Sequence, residues 1–476
     1  MMNMPTGPAR DGRLTAREPT AHAGLPGRVP APLFNEAAVA PYLDEALAAL
    51  AGDVSRPEMR GRVLEAVGTL IKAIGVSARV GDVCELVNPG RTWRMAAEVV
   101  GVMREVVLLA PYGELTGIST QTQIIHRGEQ PRVRVGPQLP GRILDGFGEL
   151  LDGGQALPAD CLAYPVQAHA PKALGRPQVT ELLQTGVRAI DAMLSCGVGQ
   201  RMGIFSPAGG GKSSLLGMLA RGSDADVIVL ALVGERGREV EEILAVLRER
   251  GLMTRAVCVV ATSDRPAAER ARAPCVAMAI AEYFRDEGKS VLLLMDSVTR
   301  YARALREIGL AAGEPPTRRG FPPSVFAALP RLFERAGRTT RGSITAFFTV
   351  LVDDDVLNDP IAEEVRATLD GHIVLSAKLA DANHFPAIDV LVSRSRVMRH
   401  VVNEQHARLA GTARELLASY QSVEMLHHMG EYRQGADEVA DRAIRIHAQL
   451  QAFLEQAVDE VTPVFECVNR LAGIVA

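Results

Sequence analysis

Residues 206–214 form a segment that could bind phosphate. The segment lies between an apolar strand, residues 202–205, and a helical run, residues 215–221. A glycine-rich loop in that context points unpaired backbone N–H groups and the positive end of a helix dipole at an anion. Lys212 is then expected to reach the β- and γ-phosphates of a nucleotide, and the Ser213 hydroxyl to bind Mg²⁺. The predicted phosphate-binding residues are Ala208, Gly209, Gly210, Gly211, Lys212, Ser213 and Ser214.

Two residues of this loop depart from common phosphate-loop sequences. The pattern GxxxxGK[ST] has glycine where this chain has Ser206, and Pro207 follows. The alternative interpretation is a glycine-rich turn beside a surface lysine. Because the three glycines, the Lys-Ser pair and the flanking strand and helix all agree, we predict a phosphate loop whose stiffness Pro207 can change.

A carboxylate at the end of a second apolar run could hold the metal ion. Residues 291–295 are apolar and are followed by Asp296, and open α/β sheets bind ligands at the carboxyl ends of their strands. Taken alone, the pattern fits a helix-capping aspartate equally well. Downstream of a phosphate loop, it predicts that Asp296 holds Mg²⁺ through water.

Charged residues 234–239 follow another apolar run. Glu235 could orient and deprotonate a water molecule there, and Arg236 could stabilise charge on a transferring phosphoryl group. The alternative is a helix start with favourable acidic residues and a surface ion pair between Arg238 and Glu242. The bare sequence favours this alternative.

An α/β region must position these three groups. Its apolar runs are typical of buried parallel strands, and helical patterns, notably residues 239–250 and 267–286, separate several of them. That order favours a doubly wound sheet with right-handed crossovers. The predicted strands are residues 201–205, 227–233, 257–261, 291–295, 344–351 and 372–375.

The sequence before and after this region has a different character. Residues 1–32 lack periodicity and are expected to be disordered, with a short helix at 35–51. Short β-branched runs at 61–67, 68–74, 95–100, 106–109, 122–126 and 132–135 predict a small β-barrel. Residues after about 400 predict helices: one has Leu409, Ala413, Leu416, Leu417 and Tyr420 on one face, and a second, at 436–457, has Val439, Ala443, Ile446 and Leu450. The expected segments are a tail with a short helix (1–59), a β-barrel domain (60–138), a P-loop domain (139–399) and a helical domain (400–476).

Composition argues against several classes of protein. The net charge is −4 and aromatic residues make up 4%, so neither a basic surface nor a base-stacking platform for nucleic acid is indicated. The six cysteines contain no CxxC pair, which disfavours a metal cluster or a disulfide framework. No apolar run reaches the roughly 20 residues needed to span a bilayer, and the polar residues 10–17 do not suggest a signal peptide.

Several motifs together resemble the catalytic subunits of the rotary-ATPase superfamily. They are residues 234–240, residues 296–304 (DSVTRYARA) and residues 384–396 (HFPAIDVLVSRSR). Other segments resemble the branch that energises type III protein secretion in bacteria: LAPYGELTGIS (109–119), GRILDGFG (141–148), TGVRAID (185–191) and GQRMGI (199–204). The resemblance runs from about residue 60 to the C-terminal helices.

This resemblance implies roles for individual residues, with ATP and Mg²⁺ as substrate and cofactor. Glu235 matches the family's catalytic base and Arg236 its neighbour at the γ-phosphate. Arg300 matches a second active-site arginine. Phe385 stands where the family usually has a tyrosine that stacks on adenine.

Arg396 matches the arginine finger that reaches the nucleotide of a neighbouring subunit. This chain also has Arg394 beside it, which makes the assignment of the finger less direct. We interpret Arg394 as a solvated side chain.

The resemblance also implies an architecture and a function. In the family, an N-terminal β-barrel, a P-loop (RecA-like) α/β core and a C-terminal helical domain follow one another, and six copies surround a central stalk. The homohexamer docks at the cytoplasmic face of the inner membrane, where ATP hydrolysis is linked to releasing and unfolding chaperone-bound substrates. The implied partners are stator and central stalk proteins, an export gate and chaperone–effector complexes, with membrane association only through partners and no nucleic acid.

Four alternatives stay open. A flagellar export ATPase differs little, although residues 110–122 look more like the injectisome form. A hexameric RNA translocase would need a basic, aromatic face, and the barrel region offers only Trp93 and Tyr112 as aromatic residues. A rotary ATP synthase or ion-pump subunit would differ mainly in its partners. A nucleotide-binding subunit without activity is disfavoured because the expected catalytic residues are all present.

Overall fold

The computed structural model describes residues 60–90, 93–352 and 359–476. The expected tail and short helix of residues 1–59 lie outside these ranges. Among the described residues, no helix is both long enough and apolar enough to cross a bilayer. Within the same ranges, no group of three or more His, Cys, Asp or Glu side chains is arranged to hold a metal ion.

The first described segment is a closed barrel of antiparallel strands. The strands are β1 (Arg60–Val67), β2 (Leu70–Ile74), β3 (Val83–Val87), β4 (Arg94–Met103), β5 (Val106–Pro111) and β6 (Gln123–Glu129). They close in the order β1-β2-β5-β4-β3-β6. Alternating side chains such as Ile71, Leu86 and Leu109 fill the interior and are fully buried. The predicted barrel is therefore confirmed, although the sequence analysis missed β3.

The remaining strands build the central sheet and two short pairings beside it, β7 with β9 and β10 with β11. They are β7 (Arg132–Val135), β8 (Ile143–Asp145), β9 (Leu162–Pro165), β10 (Leu182–Leu183), β11 (Cys196–Gly197), β12 (Arg201–Ser206), β13 (Val227–Val233), β14 (Ala256–Ala261), β15 (Ser290–Asp296), β16 (Gly337–Arg338), β17 (Ser343–Leu351), β18 (Gly371–Val374) and β19 (Arg394–Ser395). The nine-stranded sheet has the order β19-β18-β12-β17-β15-β13-β14-β8, with β16 beside β17. All of these strands are parallel to their neighbours except β16 and β19. The strand predicted at 132–135 exists, but it pairs with β9 outside the barrel.

Helices cover both faces of this sheet. They are α1 (Arg188–Met193), α2 (Lys212–Gly222), α3 (Gly237–Glu249), α4 (Ala267–Asp286), α5 (Val298–Ala311), α6 (Pro323–Phe333), α7 (Pro360–Thr368), α8 (Ala377–Asp381), α9 (Met398–Val401), α10 (Glu404–His428), α11 (Glu438–Leu454) and α12 (Val464–Val475). One apolar core joins the sheet to α2, α3 and the C-terminal helices, and a second joins it to α4, α5, α6 and α7. The doubly wound α/β core is thus confirmed.

The C-terminal helices pack through the faces that their periodicity predicts, with one exception. Ala413, Leu416 and Leu417 of α10 are buried, as are Ala443 and Leu450 of α11. Val439, which the helical pattern places on the same face, is instead 40% exposed. It lies in the first turn of α11, where few neighbours are available to cover it.

A buried arginine joins the barrel to the core. Arg272 of α4 forms an ion pair with Glu98 of β4 and a hydrogen bond to the Tyr112 hydroxyl. The Tyr112 ring stacks on Phe147 with 4.0 Å between ring centroids, and the guanidinium lies over Tyr112 at 4.6 Å. Desolvation by burial raises the pKa of the Glu98 carboxyl, although the nearby arginine opposes this.

Candidate active site

The glycine-rich segment is a loop between β12 and α2, as predicted. Gly209 and Gly211 have φ values of 77° and 81°, a left-handed conformation that favours glycine. Gly211 caps the helix, and its carbonyl accepts the N–H of Leu215 at 3.0 Å. Ala208, Ser213 and Ser214 are exposed, so the loop and first turn are accessible to a ligand.

The loop accommodates Ser206, the residue that departs from the common phosphate-loop pattern. Ser206 is fully buried and its hydroxyl donates to the carbonyl of Pro207 at 2.8 Å. A Cβ atom on Gly210 would lie 2.8 Å from the Ser206 hydroxyl oxygen and 3.1 Å from the Pro207 ring. The serine thus fills space that a side chain at position 210 would need, so glycine is the residue that fits there.

Lys212 lies between two carboxylates from neighbouring strands. Its Nζ is 2.5 Å from Oδ1 of Asp296 and 3.2 Å from Oε1 of Glu235. Asp296 ends β15 and Glu235 follows β13, and these parallel strands are adjacent, so their carboxyl ends meet at one edge. The lysine at the start of α2, whose side chain is 11% exposed, therefore reaches back to the sheet.

Asp296 also has a partner that the sequence analysis missed. The hydroxyl of the buried Thr349 on β17 donates to Asp296 Oδ1 at 2.7 Å. The other oxygen, Oδ2, is buried and has no hydrogen-bond partner among the described residues. A buried carboxylate oxygen with free lone pairs fits a hard cation such as Mg²⁺, and Ser213 directly follows Lys212 in the first turn of α2. No sequence signal singled out Thr349, because it lies within a uniformly buried strand.

Glu235 has the electrostatics expected of a general base. It is 2% exposed, and this burial, together with the negative charge of Asp296, raises its pKa to about 7. Lys212 and Arg300 oppose that shift. Arg300 of α5 pairs with Glu235 Oε2 at 2.9 Å and donates to the carbonyl of Gly234. A carboxyl that titrates near neutral pH can take a proton from water and release it again.

The structure places Arg236 outside this cluster. Its side chain is 79% exposed and lies 3.6 Å from Glu239. Arg238 pairs with Glu242 at 3.0 Å, which is the surface pair named as the alternative. The turn therefore satisfies both interpretations: Glu235 points inward and the arginines point outward. The catalytic role of Arg236 stays a prediction.

Phe385 lies beside the phosphate loop. A Cβ atom on Gly211 would be 3.2 Å from the Phe385 ring, and the ring is partly buried. An aromatic face next to the loop is where a base attached to the bound phosphates could stack.

Arg396 lies at the far edge of the sheet. It follows β19, the terminal strand, and its backbone N–H donates to the Asp370 carbonyl at 3.0 Å. Both Arg396 and Arg394 are exposed, and the Arg396 guanidinium donates to the Arg366 carbonyl at 3.3 Å. The structure thus brings Lys212, Glu235 and Asp296 together with Arg300 and keeps Arg396 apart from them.

Family comparisons agree with this organisation. Residues 186–395 match the family described as ATP synthase alpha/beta family, nucleotide-binding domain. Residues 402–473 match the T3SS EscN ATPase C-terminal domain. The first match covers the phosphate loop, Glu235 and Asp296, and the second covers α10 to α12.

Individual relatives extend the similarity over most of the chain. A Type 3 secretion system ATPase from Xanthomonas euvesicatoria is 53% identical over 414 residues, 87% of this chain and 93% of the relative. One from Sinorhizobium fredii is 49% identical over 450 residues, 94% of this chain and 99% of the relative. A Flagellum-specific ATP synthase from Bacillus subtilis is 47% identical over 415 residues, 87% of this chain and 94% of the relative.

Solved structures show the same fold. The assembled ATPase EscN from the enteropathogenic E. coli type III secretion system superposes with a TM-score of 0.83 and 47% identity. EscN in complex with its central stalk EscO superposes with a TM-score of 0.81 and 46% identity. Each match covers 87% of this chain and 100% of the other chain.

Proposed function

Because the chain belongs to the family of type 3 secretion system ATPases, we propose that it hydrolyses ATP as a homohexameric ring that releases and unfolds chaperone-bound export substrates. The enzyme is an ATP hydrolase of type III protein export. The observation that carries its chemistry is the cluster of Lys212, Glu235 and Asp296 beside a phosphate loop.

Each residue of the cluster has a separate task in hydrolysis. The N–H groups of the loop and the Lys212 ammonium bind the β- and γ-phosphates. Asp296 and the Ser213 hydroxyl would hold Mg²⁺, and Thr349 fixes the Asp296 carboxylate. Bound Mg²⁺ neutralises negative charge on the phosphate oxygens.

Glu235 accepts a proton from the attacking water at the γ-phosphate. Its pKa of about 7 makes this carboxyl basic enough to take the proton and acidic enough to return it. Arg300 pairs with Glu235 Oε2. The other carboxylate oxygen, Oε1, lies beside the Lys212 ammonium that binds the phosphates.

The ring is proposed because the finger arginine lies away from its own phosphate loop. Arg396 is exposed on the terminal strand of the sheet, where a neighbouring subunit could approach it. An arginine finger contributes about 10³–10⁵ in rate. The solved EscN structure is described as an assembled ATPase, which supports a ring for this chain.

Mixed rings of two inactive variants test this arrangement. Lys212→Ala and Arg396→Ala should each be inactive alone. In a mixture, an interface with an intact Lys212 and an intact neighbouring Arg396 should recover part of the wild-type rate, measured as phosphate release. Mixing Lys212→Ala with Arg394→Ala is the matched control, because Arg394→Ala alone should stay active. Mixed rings verified by mass that stay inactive would show that Arg396 is not a finger in trans.

The partners and location of the ring are also proposals. We propose a central stalk, a peripheral stator, an export gate and chaperone–effector complexes as partners at the cytoplasmic face of the inner membrane. The complex of EscN with its central stalk EscO supports the first of these. The injectisome is favoured over the flagellum because the secretion relative from Xanthomonas is more similar than the flagellar one from Bacillus. Co-purification from native cells tests this: recovery of flagellar rod proteins would contradict it.

A further inference from the structure

Gln456 is a buried residue in the connection between α11 and α12. It is 4% exposed, and every polar group of its side-chain amide has a partner. Its Nε2 donates to the carbonyls of Gly186 at 2.7 Å and Glu460 at 2.9 Å. Its Oε1 accepts the backbone N–H of Arg188 at 2.8 Å. A buried amide with all its hydrogen bonds made is rigidly held.

The backbone of the same residue holds Phe385. The N–H of Gln456 donates to the Phe385 carbonyl at 2.9 Å. The preceding residue, Glu455, pairs with the ring of His384 at 3.3 Å. The segment that carries the Phe385 ring is therefore attached to the C-terminal helical segment at two consecutive residues.

Another partner of the amide, Gly186, contacts the helix that follows the phosphate loop. Gly186 packs against Gly222, the last residue of α2: a Cβ atom on Gly186 would lie 2.7 Å from the Gly222 Cα. A Cβ atom on Gly222 would lie 2.1 Å from the carbonyl oxygen of Thr185. This close backbone contact fixes the loop at 185–187 to the helix that begins at Lys212.

We propose that Gln456 is a positioning residue that sets the distance between Phe385 and the phosphate loop, and thereby the enzyme's affinity for the adenine base. The side-chain amide holds the loop that packs on α2, the helix that follows the phosphate loop, and the backbone holds Phe385, so one residue links the two elements that must flank the base. Gln456 itself touches no reacting atom. The inference rests on the proposed function, because it takes Phe385 to be the surface on which the base stacks.

A second consequence follows from where Gln456 lies. Gln456 belongs to the C-terminal helical segment, whereas Phe385 and the loop at 185–187 belong to the α/β core. Any movement of α11 and α12 relative to the sheet would therefore change the base site before it changed Lys212, Glu235 or Asp296.

The test measures binding of the base separately from binding of the phosphates. In the full-length enzyme, Gln456→Met keeps the side-chain length but removes the amide. It should raise KM for ATP about five- to tenfold, the scale of one stacking contact, with kcat within about twofold. Inorganic tripolyphosphate, which has no base, is used as a competitive inhibitor, and its Ki should stay unchanged. Gln449→Met is the matched control, because Gln449 is an exposed glutamine on α11.

A double variant separates this inference from the proposed function. Phe385→Ala should raise KM for ATP, and adding Gln456→Met to it should raise KM no further. If Phe385→Ala leaves KM unchanged, base stacking on Phe385 is wrong. If Phe385→Ala raises KM but Gln456→Met does not, or if Gln456→Met raises the tripolyphosphate Ki equally, the positioning role is wrong.

Loss of folding would also give an answer. Gln456→Asn keeps an amide on a shorter side chain and should raise KM for ATP in the same direction by a smaller factor. If both variants melt below the assay temperature, Gln456 has a purely structural role and the inference is overturned.

Discussion

Acidification should switch off ATP hydrolysis through Glu235. A general base works only when it is deprotonated, and this carboxyl has a pKa raised from 4.5 to about 7 by burial and by Asp296. We therefore expect kcat/KM to rise about tenfold for each pH unit below 7 and to level off above it. At pH 6 the enzyme should retain about one tenth of its plateau value.

The assay is phosphate release with saturating Mg²⁺ between pH 5.5 and 8.5, for the wild type and two glutamine variants. Glu235→Gln should lower kcat by about 10²–10⁴ while ATP affinity stays nearly intact, because only proton transfer is lost. Glu242→Gln is the control for the loss of a carboxylate outside the cluster, since Glu242 is exposed and pairs with Arg238. The Glu242→Gln enzyme should keep the wild-type pH profile.

Two results would refute this reasoning. A wild-type profile that is flat down to pH 5.5 would mean that the pairing with Lys212 keeps Glu235 ionised, so that burial does not dominate. A Glu235→Gln variant within threefold of the wild-type kcat would mean that Glu235 is not the base. Loss of ATP binding in the same variant would assign Glu235 a structural role.

Three further predictions concern buried charges. Lys212→Ala should abolish turnover and lower the melting temperature, because it removes the ammonium that lies between the buried carboxylates of Glu235 and Asp296; the deficit in a thermal scan should shrink below pH 7 as Glu235, whose pKa is raised to about 7, protonates. Thr349→Val should raise the Mg²⁺ concentration needed for half-maximal activity about tenfold, since a hydrogen bond to charged Asp296 is worth about 1.5–3 kcal/mol. An unchanged magnesium titration would contradict the positioning role of Thr349. Arg272→Met should cost about 3–5 kcal/mol in chemical unfolding by leaving Glu98 without its charged partner and with only the hydrogen bond from Gln167 among the described residues, and adding Glu98→Gln should recover part of that loss; if it recovers none, the pair is not what joins the barrel to the core.

Local chemistry made much of the fold predictable. The α/β core was predicted from apolar runs that match β13 and β17 and from the helical pattern that matches α4. These patterns are local and do not depend on which residues they contact in the fold. The strand β3 was missed because Val83–Val87 contains a cysteine followed directly by a glutamate, and its identity depends on pairing with β4 and β6. The predicted domain boundaries at 138/139 and 399/400 stay predictions.

The candidate site was predictable where a motif carries it. The phosphate loop and Asp296 follow from residue types next to strands, whereas Glu235 needed family resemblance because a turn of alternating charges has a solvated alternative. Thr349 and Gln456 were beyond sequence reasoning. Each acts through contacts between segments distant in the chain, and a single hydroxyl or amide in the sequence gives no signal of which segment it will contact.

The strand β8 has a consequence for trimmed forms of this protein. This strand follows the barrel in the sequence and pairs with β14 of the central sheet. The N–H of Gly141 donates to the Ala256 carbonyl at 2.8 Å, and the N–H of Cys258 donates to the Arg142 carbonyl at 3.0 Å. β14 is buried along its whole length. A deletion that extends past residue 145 would bare this strand's hydrogen-bonding edge, and exposed apolar edges recruit other chains into aggregates. A barrel-free protein that begins just before Arg132, and so keeps the pairing of β7 with β9, should stay soluble, whereas one that begins after 150 should precipitate.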